Sequence, residues 1–198
     1  FVAEAANQGL EIVADEAFTA DSNTDFSVQL DKAKDAGAEL VFLPIYYQEA
    51  SIILKQASDK EFAPIFFGCD GMDGILALKG FDKELAEGLM FLTPFTADAQ
   101  DDKTQTFVKA YKAAFKDTPI QFAADAYDCV YSIKAAAEKA KITPDQSVSD
   151  ISDALKKSMT EIKMDCLTGT NITWKSDGEP SKEPTVVTVQ NGAYSIAQ

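Results

Sequence analysis

The stretch ELVFLPIYYQEASIILKQASDKEFAPIFFGCDGMDG, from Glu39 to Gly74, decides the fold. It holds two short apolar runs, LVFL and IFF, separated by a segment whose apolar residues recur at helical spacing. Short apolar runs on either side of a segment with a 3.6-residue period are typical of a β-α-β unit, in which parallel strands are buried on both faces. The stretch therefore predicts an α/β fold built on a parallel sheet.

Both apolar runs lead into side chains that suit a binding site. Tyr46 and Tyr47 follow the first run, and Cys69, Asp70 and Met72 follow the second. Ligands of open parallel sheets bind outside the carboxyl ends of the strands. The sequence therefore predicts a site at this edge of the sheet.

The composition is that of a globular and strongly acidic chain. Its 198 residues, 46% of them hydrophobic, are enough for one large domain or two small ones. The net charge of −14 arises from 32 acidic residues against 18 lysines, with no arginine. Because contacts to phosphates need a basic surface, nucleic acid is a poor partner for this chain. We interpret the acidity as a solvated surface.

Several kinds of chemistry lack their usual residues. There is no histidine, which removes the commonest general base and the commonest metal ligand. The three cysteines, Cys69, Cys129 and Cys166, show no CxxC spacing. We interpret them as mostly buried apolar side chains, and a Cys129–Cys166 bridge stays open. No Gly-rich phosphate loop is present either, so we predict no catalytic residue, no metal ligand and no cofactor.

The segments before Phe95 predict further elements of an α/β unit. The opening FVAEAANQG resembles the last turns of a helix, so we expect a fragment of a longer protein. Residues 10–18 alternate apolar and acidic side chains and predict a strand, and Asp25 is placed to cap a helix starting at Phe26. The helix between the two apolar runs is predicted to bury Ala50, Ile53, Leu54 and Ala57.

No apolar run in the sequence approaches the roughly 20 residues that span a bilayer.

After the acidic loop ADAQDDKT the composition becomes helix-rich, which favours a boundary between two lobes. We predict helices over 106–115, 122–141 and 149–157, the last capped by Ser147 or Ser149. The apolar face predicted for the second of these helices comprises Ala123, Ala126, Tyr127, Val130, Ile133 and Ala137. Two turn dipeptides, Asp177-Gly178 and Asn191-Gly192, predict hairpins near the end of the chain.

The order of these elements resembles a known family. The strings that carry the resemblance are FTADSNTDFSVQLDKAKDAGAELVFLPIYYQEASIILKQA, APIFFGCDGMDG, FAADAYDCVYSI and LTGTNITWKSDGEP. Together they are similar to the substrate-binding proteins of branched-chain amino acid ABC transporters, which have the type 1 periplasmic binding protein fold. In that family two α/β lobes close on an amino acid, and the chain crosses between the lobes three times.

The resemblance implies a parallel-sheet, three-layer lobe plus part of a second α/β lobe. Residues 1–94 correspond to most of the second lobe, residues 95–182 to a returning segment of the first, and residues 183–198 to the final crossing with the last strands. The family's N-terminal portion, which holds most of the first lobe, has no counterpart in these residues.

The resemblance also implies four ligand-binding residues. Asp70 matches the acidic residue that holds the ligand's ammonium group, and a solvated turn aspartate is the alternative. Tyr46 matches a tyrosine whose ring packs over the ligand, and core packing is the alternative, which suits Tyr47 better. Phe122 matches an aromatic that contacts the ligand side chain from the hinge side, although a Phe at a helix start is commonly a core residue.

By this resemblance the protein is the extracytoplasmic component of an ABC importer. Its partners are an amino acid, expected to be aliphatic, and the membrane permease. It is expected to associate with the membrane only through the permease or through a lipid anchor outside this chain. Two other functions stay open. A sensory region of a receptor would be followed by a transmembrane segment and an output domain. A small α/β enzyme would show activity in a screen with common cofactors.

Overall fold

The chain divides into two compact units. The computed structural model describes residues 1–197. Unit 1 comprises Phe1–Leu92 and the segment that begins at Val186, and unit 2 comprises Thr93–Thr185. The chain therefore enters unit 2 once, at the end of a strand, and returns to unit 1 once for its last strands.

Unit 1 is built on a five-stranded sheet with the strands in sequence order. The strands are β1 (Leu40–Leu43), β2 (Ile65–Gly68), β3 (Met90–Thr93), β4 (Thr185–Gln190) and β5 (Ala193–Ile196). The first three are parallel, which confirms the predicted β-α-β unit. β4 and β5 form an antiparallel hairpin that turns at Asn191 and Gly192, both with positive φ, as that dipeptide predicts.

Three helices accompany the sheet, namely α1 (Val2–Asn7), α2 (Ser27–Asp35) and α3 (Tyr47–Asp59). The predicted inward face of α3 is confirmed, because Ala50, Ile53, Leu54 and Ala57 are all buried. They join the core of unit 1 with Phe26 and Leu30 of the α2 region and Phe91 of β3. The Asp25 carboxylate accepts a hydrogen bond from the Ser27 amide at 3.0 Å, but α2 begins one residue later than predicted, and Phe26, not Asp25, is its N-cap residue.

The predicted strand over residues 10–18 is wrong. This segment is irregular, and Leu10, Ile12 and Val13 are exposed. A strand needs a neighbour that completes its backbone hydrogen bonds, and none of the five strands in the described part of the chain pairs with this segment. The segment is also rich in Ala, Asp and Glu, which are uncommon in strands. Alternation of apolar and acidic residues was therefore an insufficient signal.

Unit 2 contains the helices α4 (Asp102–Phe115), α5 (Gln121–Ala140) and α6 (Val148–Met159). α4 begins four residues before the predicted start, because the Asp101 carboxylate accepts the Thr104 amide at 2.9 Å and caps the helix there. Ser147 caps α6 by accepting the Asp150 amide at 3.1 Å. The turn at Asp177-Gly178 forms, although its pairing is limited to an isolated bridge between Trp174 and Pro180.

The predicted buried face of α5 is wrong in part. Ala123, Tyr127 and Ala137 are half-buried, and Tyr127 packs against the core of unit 2. The side chains that α5 buries are Gln121, Ala124, Asp128, Ser132 and Ala136, whereas Val130 and Ile133 are 65% and 56% exposed. The cause lies in the hydrogen bonds of Asp128. Its two carboxylate oxygens accept the Leu167 amide at 2.8 Å, the Thr168 amide at 2.9 Å and the Thr168 hydroxyl at 2.8 Å. A polar side chain with these partners is stable when buried. Asp128 therefore turns its own side of α5 towards the interior, although apolar spacing predicts that a different side is buried.

The cysteines differ from one another in exposure. All three are free, Cys166 is buried, Cys69 is half-buried and Cys129 is exposed. The interpretation of the cysteines as mostly buried is therefore wrong for Cys129, which lies beside Val130 on the exposed side of α5. The open question of a Cys129–Cys166 bridge is answered by the free thiols.

Candidate functional site

The candidate site is the binding edge, which we define as residues 44–46 after β1 and residues 69–74 after β2. Leu43 and Gly68, the last residues of the two strands, are partners in the parallel register. The two loops therefore leave the sheet side by side, on the side where ligands of parallel sheets bind.

The two predicted tyrosines lie at the end of the first loop and at the start of α3. Tyr46 has an extended backbone, immediately precedes α3 and is 62% exposed. Tyr47 is the first residue of α3, is half-buried and packs against the core of unit 1. Of the two rings, that of Tyr46 is accessible to a ligand, while that of Tyr47 supports the sheet.

The second loop carries Asp70. Asp70 starts a short 3-10 turn, Asp70–Met72, and its side chain is exposed. The next residue, Gly71, is buried against the first loop, since a methyl group added to its Cα would lie 2.4 Å from the carbonyl oxygen of Ile45 and 3.3 Å from Cα of Tyr46. The structure thus brings the backbones that carry Asp70 and Tyr46 into direct contact.

The second loop is exposed at Asp70 and buried from Gly71 onwards. Met72 and Ile75 are fully buried, and Asp73 is 6% exposed. The Gly74 amide donates a hydrogen bond to the hydroxyl of Tyr194 in β5 at 3.3 Å. Tyr194 in turn packs edge-to-face on Phe91 with ring centroids 5.2 Å apart. The loop is therefore attached to the sheet by a residue 120 positions further along the chain.

Sequence reasoning missed the supporting residues Gly71 and Tyr194. The glycine sits in the string GCDGMDG, to which we assigned the ligand-binding residue Asp70 but no role for Gly71. The requirement for a residue without a side chain at this position is visible only once the two loops are placed together. Nothing in the local sequence pairs Tyr194 with Gly74, because the contact depends on the position of β5 in the sheet.

Two titrating groups near the binding edge, Cys69 and Tyr194, have raised pKa values. Burial, and then the charge of Asp70, raises the pKa of the Cys69 thiol. A thiol with a raised pKa is a poor nucleophile at neutral pH. Burial, and then the nearby Asp73, raises the pKa of Tyr194 to about 12.

Phe122, the fourth predicted residue, belongs to unit 2. It is the second residue of α5 and is half-buried. Its neighbour Gln121 is fully buried, and the Thr93 hydroxyl lies 3.1 Å from the Gln121 side-chain oxygen. Asp125, one turn later, pairs with Lys182 at 2.7 Å.

Two further features bear on function. Among residues 1–197 no group of His, Cys, Asp and Glu side chains is arranged to hold a metal ion. Over the same residues no helix is both long and apolar enough to cross a bilayer.

Comparison with known proteins gives consistent results. The chain is 28% identical over 144 residues to the leucine-, isoleucine-, valine-, threonine- and alanine-binding protein of Pseudomonas aeruginosa, which corresponds to 72% of this chain and 37% of that protein. It is 28% identical to the branched-chain amino acid substrate-binding protein LivJ of Streptococcus pneumoniae, solved with isoleucine, with a TM-score of 0.76 over 99% of this chain and 55% of that one.

A leucine-binding protein from Thermotoga maritima has the same fold, with a TM-score of 0.81 at 23% identity over the whole of this chain and 54% of that one. The predicted fold class is thereby confirmed. The chain spans about half the length of these solved relatives and little more than a third of the curated one. The family model described as periplasmic binding protein matches residues 1–193, so the chain belongs to the periplasmic binding protein family.

Proposed function

We propose that this chain belongs to the extracytoplasmic substrate-binding component of an ABC importer and that it binds a branched-chain or other aliphatic amino acid. The observation that carries the proposal is the contact between the Asp70 and Tyr46 loops at the binding edge. Relatives at 28% identity that are named for binding leucine, isoleucine and valine support this ligand class.

The two side chains suit an ammonium group in different ways. An ionised carboxylate forms charge-assisted hydrogen bonds with an ammonium, which are about twice as strong as neutral ones. The face of a tyrosine ring also attracts a cation held within about 6 Å of its centre. Asp70 and Tyr46, which lie on touching loops, would together bind the ammonium group of an amino acid.

The remaining parts of the proposal follow from the resemblance. Phe122 contacts the ligand side chain. Tyr47, which the resemblance also places near the ligand, packs against the core of unit 1. Two lobes close around the ligand by hinge motion, and the closed form delivers it to the membrane permease. The protein performs no chemistry on its ligand, acts outside the cytoplasm and is held at the membrane by the permease or a lipid anchor.

The test compares leucine with 4-methylpentanoate, which has the same carbon skeleton and carboxylate but no ammonium. Both are titrated calorimetrically into the product of the complete reading frame that encodes this chain. We expect Asp70→Asn to weaken leucine binding by about tenfold or more, because a hydrogen bond to a charged group contributes about 1.5–3 kcal/mol. Binding of 4-methylpentanoate is expected to change little.

The control is Asp35→Asn, which removes an exposed carboxylate at the end of α2 and leaves the binding edge intact. It separates the loss of the local hydrogen bond from the loss of one negative charge. Equal leucine affinities in the Asp70→Asn variant and the unmodified protein would refute the assignment of Asp70. Absence of binding to any aliphatic amino acid would refute the proposed function itself.

A further inference from the structure

Gly71 is required for a steric reason. Its φ lies outside the positive range that favours glycine, so its backbone conformation is open to other residues. The restriction comes from the neighbouring loop, since a Cβ at this position would meet the backbone carbonyl of Ile45 at 2.4 Å. A backbone carbonyl cannot rotate away as a flexible side chain can, so a larger residue must separate the two loops.

Gly68, three residues earlier, provides a contrast. A Cβ there would meet the side chain of Met72, with 2.4 Å to Cγ and 2.7 Å to Cε. Methionine has three rotatable side-chain bonds and adapts to altered surroundings. Substitution at Gly68 therefore disturbs packing, whereas substitution at Gly71 displaces the backbone next to Tyr46.

The Asp70 loop has a second attachment at its other end. The Gly74 amide donates to the Tyr194 hydroxyl at 3.3 Å, and Gly74 is buried. Asp70 thus lies in a loop with Gly71 pressed on the first loop and Gly74 bonded to β5. Both attachments are independent of Asp70's own side chain.

We propose that Gly71 is a positioning residue that sets the spacing between Asp70 and Tyr46, with Tyr194 holding the far end of the same loop. This inference rests on the proposed function, in which those two side chains share one ammonium group. The close approach at Gly71 fixes the two groups before the ligand arrives, and a prearranged site loses less conformational freedom on binding.

The first experiment measures coupling. Leucine affinity is determined for the unmodified product of the complete reading frame, Gly71→Ala, Asp70→Asn and the double variant. We expect Gly71→Ala to weaken binding by about tenfold, since the displaced carboxylate loses its charged hydrogen bond. Asp70→Asn should then add little in the Gly71→Ala background. In the Gly68→Ala background, by contrast, Asp70→Asn should keep most of its effect. Additive losses in the Gly71→Ala background would overturn the proposal.

The second experiment needs no ligand. Amide hydrogen exchange is measured for Gly71→Ala and for Tyr194→Phe, which retains the ring on Phe91 and removes only the hydroxyl. Faster exchange over residues 45–47 and 69–74 in Gly71→Ala, and over 72–74 in Tyr194→Phe, would support the proposal. Unchanged exchange in these segments would overturn it, even if leucine binds. Failure of the unmodified protein to bind amino acids would refute the proposed function and would leave exchange to decide the role of Gly71.

Discussion

The helices α3 and α5 both carry apolar residues at helical spacing, but this spacing identifies the buried face fully only in α3. Apolar spacing predicts the inward face of α3 correctly, down to Ile53 and Leu54. In α5 the same reasoning selects Val130 and Ile133, which are exposed, while the helix buries Asp128 instead. α3 belongs to a unit with a five-stranded sheet, whereas strand pairing within residues 94–184 is limited to two isolated bridges. Apolar spacing thus identifies a buried face where an apolar layer covers it, and hydrogen bonds decide the face elsewhere.

The largest effect is expected in α3. Leu54 is 3% exposed and packs in the core of unit 1. Leu54→Ala should lower the free energy of unfolding by about 2–5 kcal/mol, because it removes buried apolar surface and leaves a cavity. Urea unfolding followed by circular dichroism measures the change. The control is Lys55→Ala at the neighbouring exposed position, which should have only a small effect. An effect of Leu54→Ala as small as that of Lys55→Ala would contradict the assignment of Leu54 to the core.

The pH dependence of stability gives a second comparison, between Tyr194 in unit 1 and Tyr111 in unit 2. Tyr194 in unit 1 has a folded-state pKa of about 12, raised by burial from its ordinary value near 10. Below pH 10 both states keep the proton. As the pH rises from 10 towards 12, the unfolded state loses the proton that the folded state retains, so stability falls by about 2–3 kcal/mol in total.

Tyr194→Phe should remove this alkaline component, which is measured as the difference between variant and unmodified protein in unfolding experiments from pH 8 to pH 12. Taking the difference cancels the deprotonation of the lysines. Tyr111→Phe, which removes a half-buried hydroxyl from unit 2, is the control. A steep alkaline loss that persists in Tyr194→Phe would show that another group is responsible.

On the polar face of α5, Asp128→Asn tests whether hydrogen bonds determine the buried side. The amide keeps one acceptor oxygen, so at least one of the Leu167 and Thr168 amides loses its partner. A buried donor without an acceptor costs about 1–3 kcal/mol. Trp174, the only tryptophan, lies in unit 2, and its fluorescence during urea unfolding reports the change. Asp153→Asn in α6, an exposed carboxylate, is expected to have no effect, and a similar effect of both changes would contradict the role of Asp128.

The sequence predicted what depends on local pattern. The β-α-β unit, the inward face of α3 and the Asn191-Gly192 hairpin all follow from spacing or from turn chemistry within a few residues. The same holds for the position of Asp70 and Tyr46 at the strand ends. These features need no knowledge of distant parts of the chain.

What the sequence did not predict depends on distant partners. Asp128 meets residues about 40 positions away, and Tyr194 meets Gly74 across 120 positions. The failed strand over 10–18 belongs to the same class, because a strand exists only with a neighbour beside it. Gly71 was unrecognised because its contact with Ile45 appears only when two loops are brought together by the register of β1 and β2.

The smallest effect is expected on the apolar face of α5. Val130 is 65% exposed, and Val and Ser have similar helix propensities, so Val130→Ser should change the free energy of unfolding by less than about 0.5 kcal/mol. Ala124→Ser is the matched substitution on the buried face. Ala124 is fully buried, so an added hydroxyl without a partner should cost about 1–3 kcal/mol. Trp174 fluorescence compares the two. A loss above about 1 kcal/mol for Val130→Ser that grows with protein concentration would show that this face is covered by another copy of the chain. In that case the apolar face of α5 would be exposed only because a single copy of the chain lacks the neighbour that covers it. Apolar spacing would then identify a buried face in α5 as it does in α3.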